Sequence, residues 1–258
     1  MTLLVGIRCS DGVVVASDSA ATFGNGQQPT IGQQVVQKVW KLNNHIIYCG
    51  TGAVGIAQII SDHIRTMWDN RAFGGHMTPE AAMDKIGKAI LQLVVPYIQT
   101  SEMTGSPDTS RCKSLVAIPI AQTPELFQFD INGAPERCND GLPFVALGSG
   151  QLIADPFLAF LRRLLWSHRV PTLSEGRLAA VWTIDHVRRT NPGGVGGDIQ
   201  LATLEATGRS MPQVTVASQS QVEEHLQKVH LAEEALVSNL TGGGVSAGQP
   251  AEIPTAPN

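Results

Sequence analysis

The chain has 258 residues, 43% of them apolar, with a formal charge of −4, enough for a substantial core in one large domain or two small ones. The mild acidic balance and the lack of a lysine or arginine run argue against nucleic acid as the main partner. No apolar stretch approaches a membrane span and the first residues lack the pattern of a signal peptide, so a cytoplasmic globular protein is expected.

Thr2 to Asp18 predicts a β-hairpin: two runs rich in Val, Ile and Leu flank the polar turn Ser10-Asp11-Gly12. Both arms are too apolar to alternate and are expected to be buried on both faces. A three-residue loop with Gly12 left-handed pairs Cys9 with Val13, sets Thr2 opposite Ala20 and makes Asp18 a diagonal neighbour of Thr2. If Met1 is removed, an α-amino group, a threonine hydroxyl and a carboxylate then lie together, the parts of an N-terminal nucleophile site. An α-amino group with an ordinary pKa of roughly 7.7 to 8.0 can serve as the base that the hydroxyl needs. The plainer reading of the hairpin by itself is a strand that begins near the chain start.

Phe23 to Gly32, rich in Gly, Gln, Asn and Pro, predicts an exposed loop. Val35 to Leu42 reads as a strand with Val36, Lys38, Trp40 and Leu42 on one face and Val39 and Lys41 on the other. Lys38 therefore either snorkels or is desolvated, with a lowered pKa, for a functional reason. His45 to Cys49 is a further strand, and Gly50-Thr-Gly-Ala-Val-Gly55 leads into a helix running to about Trp68. This is formally a dinucleotide-binding GxGxxG. A second helix, from a cap at Thr78 to about Ser101, stands where such a fold needs a parallel strand, and excludes it.

Residues 112–120 and 125–131 predict an antiparallel pair. Phe144 to Leu147 is a strand leading through Gly148-Ser149-Gly150 into a helix that ends near His168. Thr172 to Thr190 is a helix broken at Asn191 to Gly197, and strands follow at Ile199 to Leu204 and Val214 to Ala217. The last helix opens on a capping box from Ser220 to Glu223, and the Gly, Ala and Pro content from Thr241 predicts a disordered tail. The order lacks βαβ alternation and predicts an α+β sandwich, two antiparallel sheets face to face with helices outside, in one domain over residues 1–240. Cys9, Cys49, Cys112 and Cys138 are widely separated and are expected as reduced core thiols. The seven histidines show no metal spacing, with His225 and His230 on a surface helix, and neither a metal nor a cofactor is expected.

In combination these residues resemble the proteasome β-subunit family of threonine peptidases, including the HslV-type bacterial peptidases and most of all the bacterial proteasome homologue branch. The resemblance covers about residues 2 to 217. It rests on Thr2 with Asp18 sixteen residues on, Ala21-Thr22, Lys38-Val-x-Lys-Leu, the glycine turn at Gly50, and Gly148-Ser149-Gly150 opening a helix. It implies an N-terminal nucleophile hydrolase fold (αββα) with Thr2 as nucleophile, Lys38 lowering the hydroxyl's pKa and Asp18 orienting the lysine. Ser149 matches the serine near the α-amino group. Gly50, or alternatively Gly52, matches the glycine whose N–H stabilises the oxyanion, worth about 3 kcal/mol. Thr22 matches a position whose backbone pairs with substrate as an added strand, and Ala21, Val36 and Trp40 would border the specificity pocket. The family's aspartate and serine before its late glycine pair are replaced here by Asn191-Pro192 and Val195, while Gly197-Asp198-Ile199 is closer to the HslV-type sequence.

The resemblance thus implies a threonine endopeptidase that acts on peptides or unfolded proteins inside a homo-oligomeric double ring, with any unfoldase partner unidentified. Two rivals are an N-terminal nucleophile amidase acting on a small molecule and a catalytically silent ring subunit.

Overall fold

The computed structural model describes residues 2–22, 33–167, 169–191, 194–208 and 210–240. The expected loop over residues 23–32 and the expected tail from residue 241 lie outside these. Along the first strand, β1 (Leu3–Cys9), alternate side chains take opposite faces. Leu3, Val5, Ile7 and Cys9 enter one apolar core and Leu4 enters another. Both faces are buried, as the unbroken apolar run requires.

The turn into β2 (Gly12–Asp18) corrects the expected register. Cys9 pairs with Gly12 and Leu4 with Ser17, so the loop is the two residues Ser10 and Asp11. Gly12 is required here by close approach, since a Cβ on it would stand 2.4 Å from the Leu204 carbonyl oxygen. The slip of one residue brings Asp18 level with Leu3 rather than diagonal to Thr2, and leaves Thr2 level with Ser19.

β1 and β2 lie inside a five-stranded antiparallel sheet with β10 (Phe144–Gly148), β11 (Ile199–Thr207) and β12 (Ser210–Val216), in the order β10-β1-β2-β11-β12. A second five-stranded antiparallel sheet runs β5 (Val39–Lys41), β6 (Ile47–Gly52), β7 (Cys112–Ile120), β8 (Thr123–Phe129) and β9 (Pro135–Arg137). A short ribbon of β3 (Ala20–Thr22) and β4 (Gln33–Val35) stands apart. The expected strand from Val35 to Leu42 is therefore two strands with residues 36–38 between them, and consecutive Lys38 and Val39 are both buried where alternation would expose one.

Three cores make the layers. Leu4, Val13, Val15, Ile47, Leu115 and Leu204 meet between the sheets. Gly6 faces this layer, where an added Cβ would press at 3.0 Å on Leu115 and Leu126 of the other sheet. Helices α1 (Val54–Asp69) and α2 (Pro79–Met103) cover the second sheet through residues such as Ile60, Ile86 and Ile90. Helices α3 (Gln151–Leu165), α4 (Leu173–Thr190) and α5 (Gln219–Leu240) lie over the first through Leu158, Val181, Trp182 and Val229. The result is the helix–sheet–sheet–helix sandwich that the order of elements predicts.

α2 starts at the expected cap, with Thr78 accepting from Ala81 N–H and Pro79 in the first turn. α5 does not. Its capping box is Ser218 and Gln221, two residues early: Ser218 Oγ accepts from Gln221 N–H, and Gln221 Oε1 accepts from Ser218 N–H. The four cysteines are buried free thiols, and burial pushes Cys112 up to about 11 and Cys138 up to about 12.

Candidate active site

Thr2 sits just ahead of β1, where the N-terminal end of α3 meets the first sheet. Its carbonyl oxygen accepts from Gly150 N–H at 3.3 Å, and its own N–H donates to Ser149 Oγ at 3.1 Å. The approach depends on Gly148, which has φ +104° and whose Cβ, if present, would fall 2.2 Å from the Thr2 carbonyl oxygen. Only glycine meets both demands. The Gly148-Ser149-Gly150 signal in the sequence is thus the device that docks Thr2.

Asp18 ends β2, fully buried, and gathers donors from three directions. Its Oδ1 accepts from Leu3 N–H at 2.9 Å and from Lys38 Nζ at 2.8 Å, while Oδ2 accepts from Gly196 N–H at 3.2 Å. The register that removes Asp18 from a diagonal with Thr2 instead links it to the next peptide group. Lys38 Nζ also donates to the Ala20 carbonyl at 2.6 Å. With 5% of its surface exposed, Lys38 does not snorkel. Burial pushes its ammonium below the ordinary lysine value, and the charge and hydrogen bond of Asp18 partly oppose that shift.

Gly196 and Gly197, at the end of the stretch where the family pattern is lost, nonetheless supply a support. The Gly196 carbonyl accepts from Ser19 N–H at 3.2 Å and Ala20 N–H at 2.9 Å. Arg188 holds the same loop from α4, donating to the Gly197 carbonyl at 3.2 Å and to Asp185 Oδ1 at 2.6 Å. A run of contacts thus leads from buried Asp185 through the partly exposed Arg188 and the loop backbone to Asp18. Gly196 and Arg188 carried no sequence signal beyond the glycine pair.

Gly50 pairs with Ser114 within β6, and Tyr48 Oη lies 3.1 Å from where its Cβ would be. Val39 pairs with Cys49, the residue before Gly50. Gly52, the alternative, has φ +114° and is fixed by close approach of the Arg111 carbonyl. Ala21 pairs with Gln34 and Thr22 with Gln33 in the ribbon. Val36 N–H donates to the Ser19 carbonyl at 2.8 Å, which ties that segment to the site. Trp40 stacks on Tyr48 at 5.7 Å and packs against the core under α1 and α2. Among the described residues no cluster of His, Cys, Asp and Glu could hold a metal ion.

A family model described as Proteasome subunit matches residues 2–164, more than half of the chain. The chain belongs to the proteasome subunit family. A proteasome subunit beta from Methanococcus vannielii is 28% identical over 88% of this chain and 92% of its own length. Another from Methanobrevibacter smithii is 44% identical over 22% of this chain and 26% of its own length, and one from Methanobrevibacter ruminantium is 35% identical over 38% of this chain and 46% of its own, so the chain matches less than half the length of either. A proteasome subunit alpha from Methanococcus maripaludis is 25% identical over 91% of this chain and 82% of its own. Among solved structures, Anbu (ancestral beta-subunit) from Yersinia bercovieri superimposes with a TM-score of 0.67 at 17% identity, over 95% of this chain and all of that one. This likeness speaks for the fold, the α+β sandwich of antiparallel sheets flanked by helices. Both subunit types of the family are therefore represented among the relatives.

Proposed function

We propose that the chain is a threonine peptidase of the β-subunit type, with Thr2 as nucleophile once Met1 has been removed. The observation that carries this reading is the Lys38 ammonium, buried and bonded to Asp18, on a carboxylate that also takes the N–H next to Thr2. A buried lysine without a task is costly, because taking its charge from water is only partly repaid by one carboxylate. In the proposed reaction the Thr2 hydroxyl attacks the peptide carbonyl and passes its proton to the α-amino group, with the Lys38 charge favouring the alkoxide. The amine then protonates the leaving nitrogen, and water hydrolyses the acyl-enzyme. Ser149 orients the Thr2 nitrogen, Gly50 or Gly52 supplies the oxyanion N–H, and the β3–β4 ribbon with Ala21, Thr22 and Val36 receives an extended peptide.

No helix among the described residues is long and apolar enough to cross a membrane, and we place the protein in the cytoplasm. An unselective nucleophile there needs a compartment, so a homo-oligomeric double ring with the sites inside belongs to the same proposal. Native mass spectrometry that finds only monomer at micromolar concentration overturns the ring. A second reading, a catalytically silent ring subunit, is favoured by the wide match to an alpha subunit.

The deciding experiment uses purified protein lacking Met1, checked by intact mass. Wild type cleaves short fluorogenic peptides, Thr2→Ser retains part of the rate, and Thr2→Ala loses it while keeping the same assembly. An irreversible electrophile that bridges hydroxyl and α-amine labels Thr2 alone. A silent subunit shows neither activity nor labelling, a small-molecule amidase ignores peptides, and activity that persists in Thr2→Ala removes the mechanism.

A further inference from the structure

Gln200 lies on β11 beside Ser17 and, by alternation, shares its face with Ala202 and Leu204, which belong to the apolar layer between the sheets. A glutamine on that face needs partners, because a half-buried amide without hydrogen bonds is destabilising. It finds them in the segment that carries Lys38. Its Oε1 accepts from Lys38 N–H at 2.8 Å and from Val39 N–H at 3.0 Å, and its Nε2 donates to the Val36 carbonyl at 2.6 Å. Residues 36–38 have left the strand ladder at this point, so the side chain takes the place of a strand partner for backbone groups that must be satisfied. From the other side the Ser19 carbonyl holds Val36.

We propose that Gln200 is a positioning residue that fixes the main chain at Lys38, and through it sets the Lys38 ammonium on Asp18 and the Ala20 carbonyl. The proposal rests on the role given to Lys38 above. A lysine stem has four rotatable bonds, so the ammonium is placed only as well as its Cα is held. Gln200 anchors that Cα on both sides, through the N–H of Lys38 itself and the groups of Val36 and Val39, from a strand whose preceding residue, Ile199, pairs with Asp18. One strand therefore sets both ends of the ion pair: Ile199 by its ladder position and Gln200 by its amide.

The test compares Gln200→Met, which keeps the length and apolar stem but no hydrogen bond, with Gln200→Glu, which keeps the acceptor for Lys38 and Val39. In Gln200→Met, kcat on a fluorogenic peptide falls about 10- to 100-fold, the scale of a small misplacement of a reacting group. KM stays within about twofold, because Gln200 touches no substrate in the proposed site. Gln200→Glu recovers most of the rate. In the Lys38→Met background the Gln200→Met change adds no further loss, since its effect passes through Lys38. Wild-type kcat in a folded Gln200→Met protein, a failure of Gln200→Glu to recover rate, or full additivity with Lys38→Met each overturns the proposal.

A measurement independent of turnover separates this from failure of the peptidase reading. Trace acetic anhydride, with site occupancy read by peptide mass spectrometry, acetylates Lys38 faster in Gln200→Met than in wild type. If wild type cleaves no peptide but Lys38 reactivity rises, Gln200 positions the lysine and the peptidase reading fails by itself. Unchanged Lys38 reactivity overturns the positioning role.

Discussion

Of the buried carboxylates that face a cation in this sandwich, Glu125 and Asp18 are held in opposite ways. Glu125 on β8 is gripped by Arg137 of β9 through two parallel bonds, Nε to Oε2 at 2.9 Å and Nη2 to Oε1 at 2.8 Å, while Nη1 reaches Glu80 in the first turn of α2 at 2.6 Å. Asp18 meets Lys38 through one bond from one nitrogen and fills its remaining capacity with the backbone N–H groups of Leu3 and Gly196. Bonding to Glu125 raises the Arg137 guanidinium further above its ordinary value, whereas burial lowers the Lys38 ammonium. An arginine fork whose proton stays in place pins β8, β9 and α2 together. A lysine charge on a flexible stem, destabilised by burial, is the one that can respond to a proton moving nearby.

The comparison is broken most directly by the same replacement at both places. Lys38→Met reduces peptide turnover at least about a hundredfold, as expected for a group that tunes a nucleophile, with the fold kept, because Asp18 retains two backbone donors. Peptidase rates read alongside thermal melts check this; a variant that melts out while its folded fraction stays active places Lys38 in the structure and not in the reaction. Arg137→Met gives the reverse pattern. Glu125 is left buried without its partner at a cost of about 2–3 kcal/mol, less than the ~3–5 kcal/mol of a fully enclosed pair because Arg137 is partly exposed. Its kcat is unchanged. Denaturant titration measures the first quantity, and a loss of rate beyond the loss of folded protein would make the two pairs alike.

The pH response sharpens the same contrast. Because the folded-state pKa of Lys38 lies below its unfolded value of 10.5, the native state holds this proton less tightly than the unfolded one. Stability from this residue therefore rises as pH climbs through the interval between the two values. Lys38→Met flattens that rise in a series of melts across the alkaline range, and a wild-type curve without the rise contradicts the shift.

What the sequence disclosed follows from how local each signal is. The Thr78 cap and the strand over residues 112–120 depend on neighbours in the chain, and they stand where patterning put them. The hairpin was legible as a hairpin but its register was not: Gly12 fits either a left-handed turn residue or a close approach, and only the Leu204 carbonyl from β11 decides between them. Lys38 stood out because a cation amid apolar residues is rare, although the strand drawn through it does not exist. Gly196, Arg188 and Gln200 reach the site from over 160 residues along the chain. Of these, only Gln200 left a trace, a polar side chain in the inward phase of Ile199 to Leu204.

The smallest expected effect lies away from the site, at the start of α4, and shows how a half-buried carboxylate differs from Glu125 and Asp18. Thr172 Oγ1 accepts from Glu175 N–H, Glu175 Oε2 accepts from Thr172 N–H at 2.9 Å, and Arg169 Nη1 donates to the same carboxylate at 2.7 Å. Thr172→Ala removes one half of this reciprocal cap and costs about 1 kcal/mol with no change in peptide turnover. The bond from Arg169, followed by those from Thr172, holds Glu175 down at about 2 against an ordinary 4.5. A depressed carboxylate contributes stability that is complete above the unfolded value and is lost as pH falls from about 4.5 toward about 2. Glu175→Gln keeps an acceptor for the Thr172 N–H but cannot titrate, so its melting temperature declines less steeply over that interval. Equal slopes for Glu175→Gln and wild type would show that the cap holds through hydrogen bonding alone, without the carboxylate charge.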